Sequence, residues 1–423
     1  MNRWNQLIAT WLPKLDHRIW ILSAARLLSQ IGTGFTLFYA PIFFVNQVGL
    51  SATLVGVGIG SGSITGVIGR ILGGSFSDSP RVGRRRTLLL ATVVCAIGSV
   101  ILALTTDFST FLVGNLLLGL GIGLYWPATE AVVADLSTPE QRNEAFALTR
   151  LSDSVGLGVG VILGGAIVAA TGAYRLLFLI DAVSFVAFFG IIYWTIAETR
   201  NPCQVNHAVL KSWRLALSDR ALLIYAAVNV LLTTYLAIVN SALPLYFTNF
   251  VPQGDAPGFS ASVISALFSW YVVLTAITQL PIVRALSRFN YPQMLVVSSL
   301  LWGIGFGLIW VTGTVTTGSL GWALLGLGVM AIATVAYTPA ASSLVVDLAP
   351  ESLRGVYLSV SSLCWAAGYF IGPILGGWAM DGDRQLANNF WVAAAASILV
   401  CLAILKWLDI ALRKRTVSTP TNP

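Results

Sequence analysis

Residues 125–165, YWPATEAVVADLSTPEQRNEAFALTRLSDSVGLGVGVILGG, return in altered form at 337–377 as YTPAASSLVVDLAPESLRGVYLSVSSLCWAAGYFIGPILGG. Laid over one another without a gap, fourteen of the 41 pairs are identical. Tyr125, Pro127, Ala128, Asp135, Leu136 and Arg142 fall on Tyr337, Pro339, Ala340, Asp347, Leu348 and Arg354. Further on, Gly156, Gly160, Gly164 and Gly165 fall on Gly368, Gly372, Gly376 and Gly377. A composition rich in Gly and Leu scatters chance matches, but it does not reproduce an ungapped Pro–Asp–Arg–Gly register. Each copy reads the same way: an apolar segment ending in Asp-Leu, a turn with Arg seven residues after the Asp, then a glycine-lined apolar segment. The chain carries an internal duplication.

Around these copies, apolar runs of roughly 20 residues recur, the length needed to cross about 30 Å of hydrocarbon. They cover 18–45, 51–72, 86–106, 109–134, 145–171, 174–196, 221–247, 259–285, 291–311, 317–346, 354–380 and 387–412. Backbone groups cannot stay unpaired in lipid, so runs this evenly apolar are expected to be helices. Composition agrees: 56% of the 423 residues are hydrophobic, 10% are charged, and the mean hydropathy is +0.81. A soluble domain carries roughly a quarter charged residues. The expected fold class is therefore all-α integral membrane, with twelve transmembrane helices in two pseudo-symmetric six-helix bundles. The longest polar interval divides six runs from six. It separates an N-terminal bundle at 18–196, preceded by an interfacial segment at 1–17 with Trp4, Trp11 and Lys14, from a C-terminal bundle at 221–412. The connector is 197–220 and the tail 413–423.

The net charge of +7 is distributed by topology. Arg175 and Arg384 fall in segments assigned outside, Arg26 and Arg150 within runs, and the remaining Lys and Arg on segments assigned inside. This positive-inside bias predicts both termini in the cytoplasm of a multi-pass inner- or plasma-membrane protein. It speaks against a nucleic-acid partner. The first run is too long for a cleavable signal and lacks a small-residue cleavage site. The four cysteines lack metal-ligand spacing, and no phosphate loop, dinucleotide fingerprint, zinc spacing or nucleophile elbow appears. No cofactor, no metal and no enzymatic activity are expected.

The turn between runs two and three, GGSFSDSPRVGRRRTLLL at 73–90, resembles a loop motif of the major facilitator superfamily, usually written G-x-x-x-D-R-x-G-R-R. Gly74 and Asp78 match its first part; Arg81, Gly83, Arg84 and Arg85 match its second, after two extra residues, Ser79 and Pro80. The resemblance implies the major facilitator fold, alternating access around a central site, and a cytoplasmic gate held partly through the acidic end of run four, here Asp135. A plain basic turn would satisfy the topology equally well. Run eleven carries Gly368, Gly372, Pro373, Gly376 and Gly377, which resemble a glycine–proline motif found in run five of many proton-coupled antiporters of the family. Here run five has Val161 at the proline position, and run four has Asn115 where drug antiporters of the family usually carry arginine. Close helix packing is the expected role of these glycines.

Charge inside a membrane segment marks function or pairing. Arg26, Glu130, Arg150 and Asp153 all lie roughly 8–14 Å from the cytoplasmic side at 1.5 Å per residue. Their repeat partners, where aligned, are uncharged: Ser342 for Glu130, Ser362 for Arg150 and Trp365 for Asp153. The fold does not require charge at these places, which directs attention to coupling or substrate. Asp181, in the outer part of run six, is expected to pack. Gln30, Tyr125, Trp126, Tyr235, Asn240, Trp270, Tyr337 and Trp365 lie near the estimated midplane and are candidates for an aromatic cavity wall suited to an amphipathic organic molecule.

The expected function is secondary transport by alternating access, with proton-coupled efflux of a small organic or drug-like compound leading. A proton-independent facilitator or uptake carrier, and a non-transporting pigment- or lipid-binding assembly factor, remain alternatives. The expected partners are the lipid bilayer, a small-molecule substrate and protons, with the chain acting as a monomer.

Overall fold

The computed structural model of the protein describes residues 15–138, 141–199, 214–252, 258–286, 288–315, 317–350 and 354–418. The expected interfacial segment with Trp4, Trp11 and Lys14, most of the 197–220 connector, and the side chains of Asp78, Arg142 and Arg354 lie outside the described residues.

Among the described residues, twelve helical spans are long and apolar enough to cross a membrane. The first, α1, runs over His17–Leu37 and, past a break at Phe38, over Tyr39–Asn46. There follow α2 (Ala52–Asp78), α3 (Gly83–Leu104), α4 (Phe108–Leu136), α5 (Arg142–Thr171) and α6 (Tyr174–Thr195). The second six are α7 (Arg220–Asn249), α8 (Ala261–Leu286), α9 (Tyr291–Thr314), α10 (Ser319–Leu348), α11 (Arg354–Met380) and α12 (Arg384–Ser418). Their starts are set by side-chain caps that satisfy the first backbone donors: Ser51 on α2, Asp107 on α4, Asp219 on α7, and a reciprocal Asn290–Gln293 box on α9. Gly172 closes α5 in the left-handed conformation at φ 65°, where a side chain would be strained. Large apolar side chains such as Ile71, Val183, Ile277 and Leu399 stand exposed around the outside, as a lipid-facing surface requires.

Helix packing repeats between the halves. In the first, α1 packs on α5 and α6, and α4 on α2 and α3; in the second, α7 packs on α11 and α12, and α10 on α8 and α9. The duplicated glycines explain one of these contacts. A Cβ on Gly160 would lie 2.9 Å from the Gly34 Cα and would strike the Ile31 carbonyl. A Cβ on Gly372 would lie 2.9 Å from the Thr234 carbonyl oxygen. Small residues thus let α5 lie against α1 and α11 against α7, backbone to backbone.

The halves meet along two symmetric seams, α2 against α11 and α5 against α8. With twelve spans, residues 15 and 418 lie on the same face. On the opposite, far face the halves are tied firmly. The Asp381 carboxylate accepts hydrogen bonds from the backbone N–H of Ala52 (2.5 Å) and Thr53 (2.8 Å) at the start of α2. Asn46 and Asn249 exchange side-chain hydrogen bonds at 3.0 and 3.1 Å. Phe38 stacks on Phe268 with centroids 4.2 Å apart. Toward the termini face, Arg70 on α2 donates to the Ser362 hydroxyl on α11. This conformation is closed at the far face.

Candidate functional site

A cavity of about 750 Å³ lies between the two halves. Helical periodicity decides what reaches it. On α2, Ile59, Gly62, Ser63, Gly66, Val67 and Arg70 form one stripe at spacings of three and four, and all line the wall. On α8 the stripe is Tyr271, Val272, Thr275, Ala276 and Gln279. The C-terminal wall carries no formal charge and satisfies much of its own polarity: Tyr271 bonds Thr334 at 3.0 Å and Asn240 donates to the Tyr369 hydroxyl at 3.3 Å. In the N-terminal half the cavity extends into a recess walled by Leu102, Phe111, Phe178 and Phe185. Among the described residues, two formally charged side chains line the cavity, Arg70 and Asp181.

Of the eight aromatic and amide candidates, Gln30, Tyr125, Trp126, Asn240 and Trp365 line the cavity. Tyr235, Trp270 and Tyr337 do not. Tyr235 turns into the C-terminal bundle beside Trp302 and Phe306 and bonds Ser397 at 2.7 Å. Trp270 is 41% exposed on the outer surface, with its indole N–H on the Leu324 carbonyl at 3.1 Å. Tyr337 is fully buried and donates to Asn229. Each is one residue away from a wall residue (Leu236, Tyr271, Thr338), and one residue turns a helical side chain by about 100°. Depth in the membrane was readable from the sequence, but rotation about the helix axis was not.

The four charges singled out in the sequence lie off the wall itself. Arg26, 1% exposed, grips Asp153 with both ends of its guanidinium, Nε to Oδ1 at 2.9 Å and Nη2 to Oδ2 at 2.5 Å. Arg150 and Glu130 pair at 2.9 Å in a half-exposed position nearer the termini face. Trp126 binds the two pairs together. Its ring lies 5.3 Å from the Arg26 guanidinium and 5.1 Å from that of Arg150, a double cation–π contact. Tyr125 meets Trp126 edge-on at 5.5 Å. The network therefore fixes the indole that reaches the cavity.

The sequence profile of the Major Facilitator Superfamily matches residues 22–253 and 237–423. The chain belongs to the major facilitator superfamily. Among curated relatives of this transporter, the multidrug resistance protein MdtH of Salmonella typhimurium is 28% identical over 354 residues, covering 82% of each chain. The fold is shared with the nucleoside transporter NupG (TM-score 0.77, 16% identity, 93% of this chain and 99% of that one). It is shared too with a peptide transporter POT bound to sulfate (TM-score 0.76, 18% identity, 96% and 98%). The protein is a multi-pass membrane protein and a secondary transporter, not an enzyme.

In this transporter the loop motif joins helices of the N-terminal half. The Arg84 guanidinium pairs with Asp135 at the end of α4 and donates to the Ala131 carbonyl at 3.2 Å. Glu198, beyond α6, accepts from the backbone N–H of Arg84 (2.9 Å) and of Arg85 (3.2 Å), capping α3. The Arg85 guanidinium donates to the Tyr193 carbonyl at 2.6 Å and lies over its ring. Gly83 sits at φ 76° against the Glu198 carboxylate, so both conformation and space demand glycine. The Arg81 carbonyl accepts from Arg86 at 2.9 Å. A Cβ on Gly74 would meet nothing within 4 Å. The α11 motif packs against two partners: Gly368, Gly372 and Gly376 on α7, and Gly377 and the Pro373 carbonyl on α2.

Sequence reasoning missed Arg70 and Glu198. Arg70 carried a signal, since it ends a stripe of small residues at helical spacing. Glu198 gave none, since its partners are backbone groups more than a hundred residues away. Asp181, expected to pack, is 2% exposed and lies against α1 and α3, and it also lines the cavity.

Proposed function

We propose that this transporter exports a small amphipathic organic compound in exchange for protons, rocking its two halves around the central cavity. The observation that carries this reading is the wall itself: apolar and aromatic groups from both halves, hydroxyls and amides among them, and, among the described residues, two formal charges. A wall of that kind accepts varied weakly polar molecules better than a polyanion or a sugar, which need dense, directed donors. The similarity to a multidrug resistance protein points the same way. The Arg26–Asp153 and Arg150–Glu130 pairs hold Trp126 against the cavity, and a substrate ring stacks there. The face bearing residues 15 and 418 is placed in the cytoplasm, since Lys and Arg gather on it.

The test uses the full chain in proteoliposomes with ethidium as probe. An imposed pH gradient is expected to drive ethidium against its own gradient, and collapsing the pH gradient is expected to stop it. Ethidium movement indifferent to the pH gradient would replace exchange by a proton-independent carrier. No movement of ethidium at all would overturn the export reading.

A further inference from the structure

Among the described residues Asp181 is the one carboxyl on the cavity wall, and its surroundings are unlike those of the paired acids. It sits about two turns into α6 from the far face and is 2% exposed. Its Oδ2 accepts a hydrogen bond from Ser99 on α3 at 2.7 Å, while Oδ1, buried, has no hydrogen-bond partner among the described residues. Among the described residues, no cationic nitrogen lies within salt-bridge distance of it.

The helices packed against α6 are α1 and α3. From α3 the titratable neighbour is Cys95, which also lines the cavity. From α1 the side facing Oδ1 is Gly32, where a Cβ would strike Ser184 Oγ on α6 and lie 2.6 Å from Oδ1. The nearest charge along α1 is Arg26, committed to Asp153. On α6 itself Arg175 is committed to the carbonyls of Ala103 and Thr105. A buried carboxylate without a cation is costly unless something neutralises it. Glu130 and Asp153 already have arginines; Asp181 does not.

We propose that Asp181 is the group that carries the coupling proton, bound on Oδ1 and exchanged through the cavity. The proton goes onto Oδ1 while Ser99 keeps its bond to Oδ2, so no rearrangement of the helix is needed to load it. A side chain at Gly32 would strike both Ser184 and Oδ1, so the glycine keeps that side of the carboxyl clear. The proposal rests on the proton-coupled reading above, but it names a residue that can be tested without a substrate.

The experiment is an infrared pH titration of the full-length protein in liposomes, following the carbonyl stretch of a protonated, non-aqueous carboxylic acid. The wild-type protein is expected to show a titrating acid band that is lost in Asp181→Asn and kept in Asp153→Asn and Glu130→Gln. Ser99→Ala, which leaves the carboxyl in place, is expected to shift the band in frequency. Absence of the band from the wild type, its persistence in Asp181→Asn, or an unmoved band in Ser99→Ala would each overturn the assignment. The ethidium assay separates the two ideas: proton-independent movement there would remove the coupling reading while the infrared result stood.

Discussion

At one depth the two halves of the transporter solve the same packing problem with opposite chemistry. The contacts of Gly160 with Ile31 and of Gly372 with Thr234 align α1 with α7, and the same shift lays Arg26 on Asn229. Arg26 holds Asp153 and lies 5.9 Å from the Tyr125 ring. Asn229 accepts from Tyr337, the repeat partner of Tyr125, and donates to the Ser361 hydroxyl at 3.3 Å. Tyr225 completes the neutral net through Ser361 at 3.1 Å and the Ala341 carbonyl at 3.0 Å. One half is held by ions and the other by neutral hydrogen bonds in an equivalent place. The duplication thus supplies its own control. The fold tolerates a neutral cluster here, which makes a role besides assembly the expectation to test for the ionic version in the N-terminal half.

The largest expected effect breaks the ionic side. Arg26→Leu leaves the Asp153 carboxylate unpaired inside the bundle and is expected to destabilise the protein by about 3–5 kcal/mol. Thermal unfolding in detergent measures this. The double variant Arg26→Leu/Asp153→Leu removes both charges and is expected to regain most of that stability, because an apolar pair of similar volume replaces a buried ion pair at little cost. Its transport is expected to stay impaired, since Trp126 loses one of its two guanidinium contacts. A double variant as unstable as the single one would mean that the charges are architectural, and the comparison between halves would lose its meaning.

A smaller effect is expected on the neutral side. Asn229→Ala strands the buried Tyr337 hydroxyl and removes the bond to Ser361, a loss of about 1–3 kcal/mol. The same melting experiment reads it. A cost equal to or above that of Arg26→Leu would show that the neutral net is the stronger brace.

The legibility of the molecule follows the same division. Spans, duplication and loop motif were readable because they depend on hydropathy and on spacing along one chain. The structure brings Arg84 and Asp135 together, a pair that the motif alone suggested. What could not be read was which residues face inward. Tyr235, Trp270 and Tyr337 sit at cavity depth yet point elsewhere, and the spans, apolar almost all round, give little periodicity to fix their rotation. Arg70 was hidden by its closeness to the basic turn after α2, and is named only once the halves are brought together in space. Asp181 stood out as an acid in an apolar run, but its place on the cavity wall was not legible.

A second pair of regions sharpens the comparison with the smallest effect. The α2–α11 seam is tied at the far face by Asp381 on the first backbone donors of α2, while the α5–α8 seam touches through side chains, with Gly158 near Val272. Asp381→Ala removes a carboxylate that caps a helix across the two halves, and such caps contribute about 0.5–2 kcal/mol. Overall stability is expected to change little, because Ser51 still caps α2 from its own half. The conformational balance is expected to change more, because the lost bonds exist only while the far face is closed, and a state is shifted only by contacts it does not share with the other. Distance measurements between spin labels on the far-face ends of α1 and α7 check this: the long-distance population is expected to grow in Asp381→Ala. Gly158→Ala, whose Cβ would meet Val272 Cγ1 at an ordinary 3.4 Å, is expected to leave the distribution unmoved. Equal shifts in the two variants would mean that neither seam is a latch and that the far face closes by apolar contact alone.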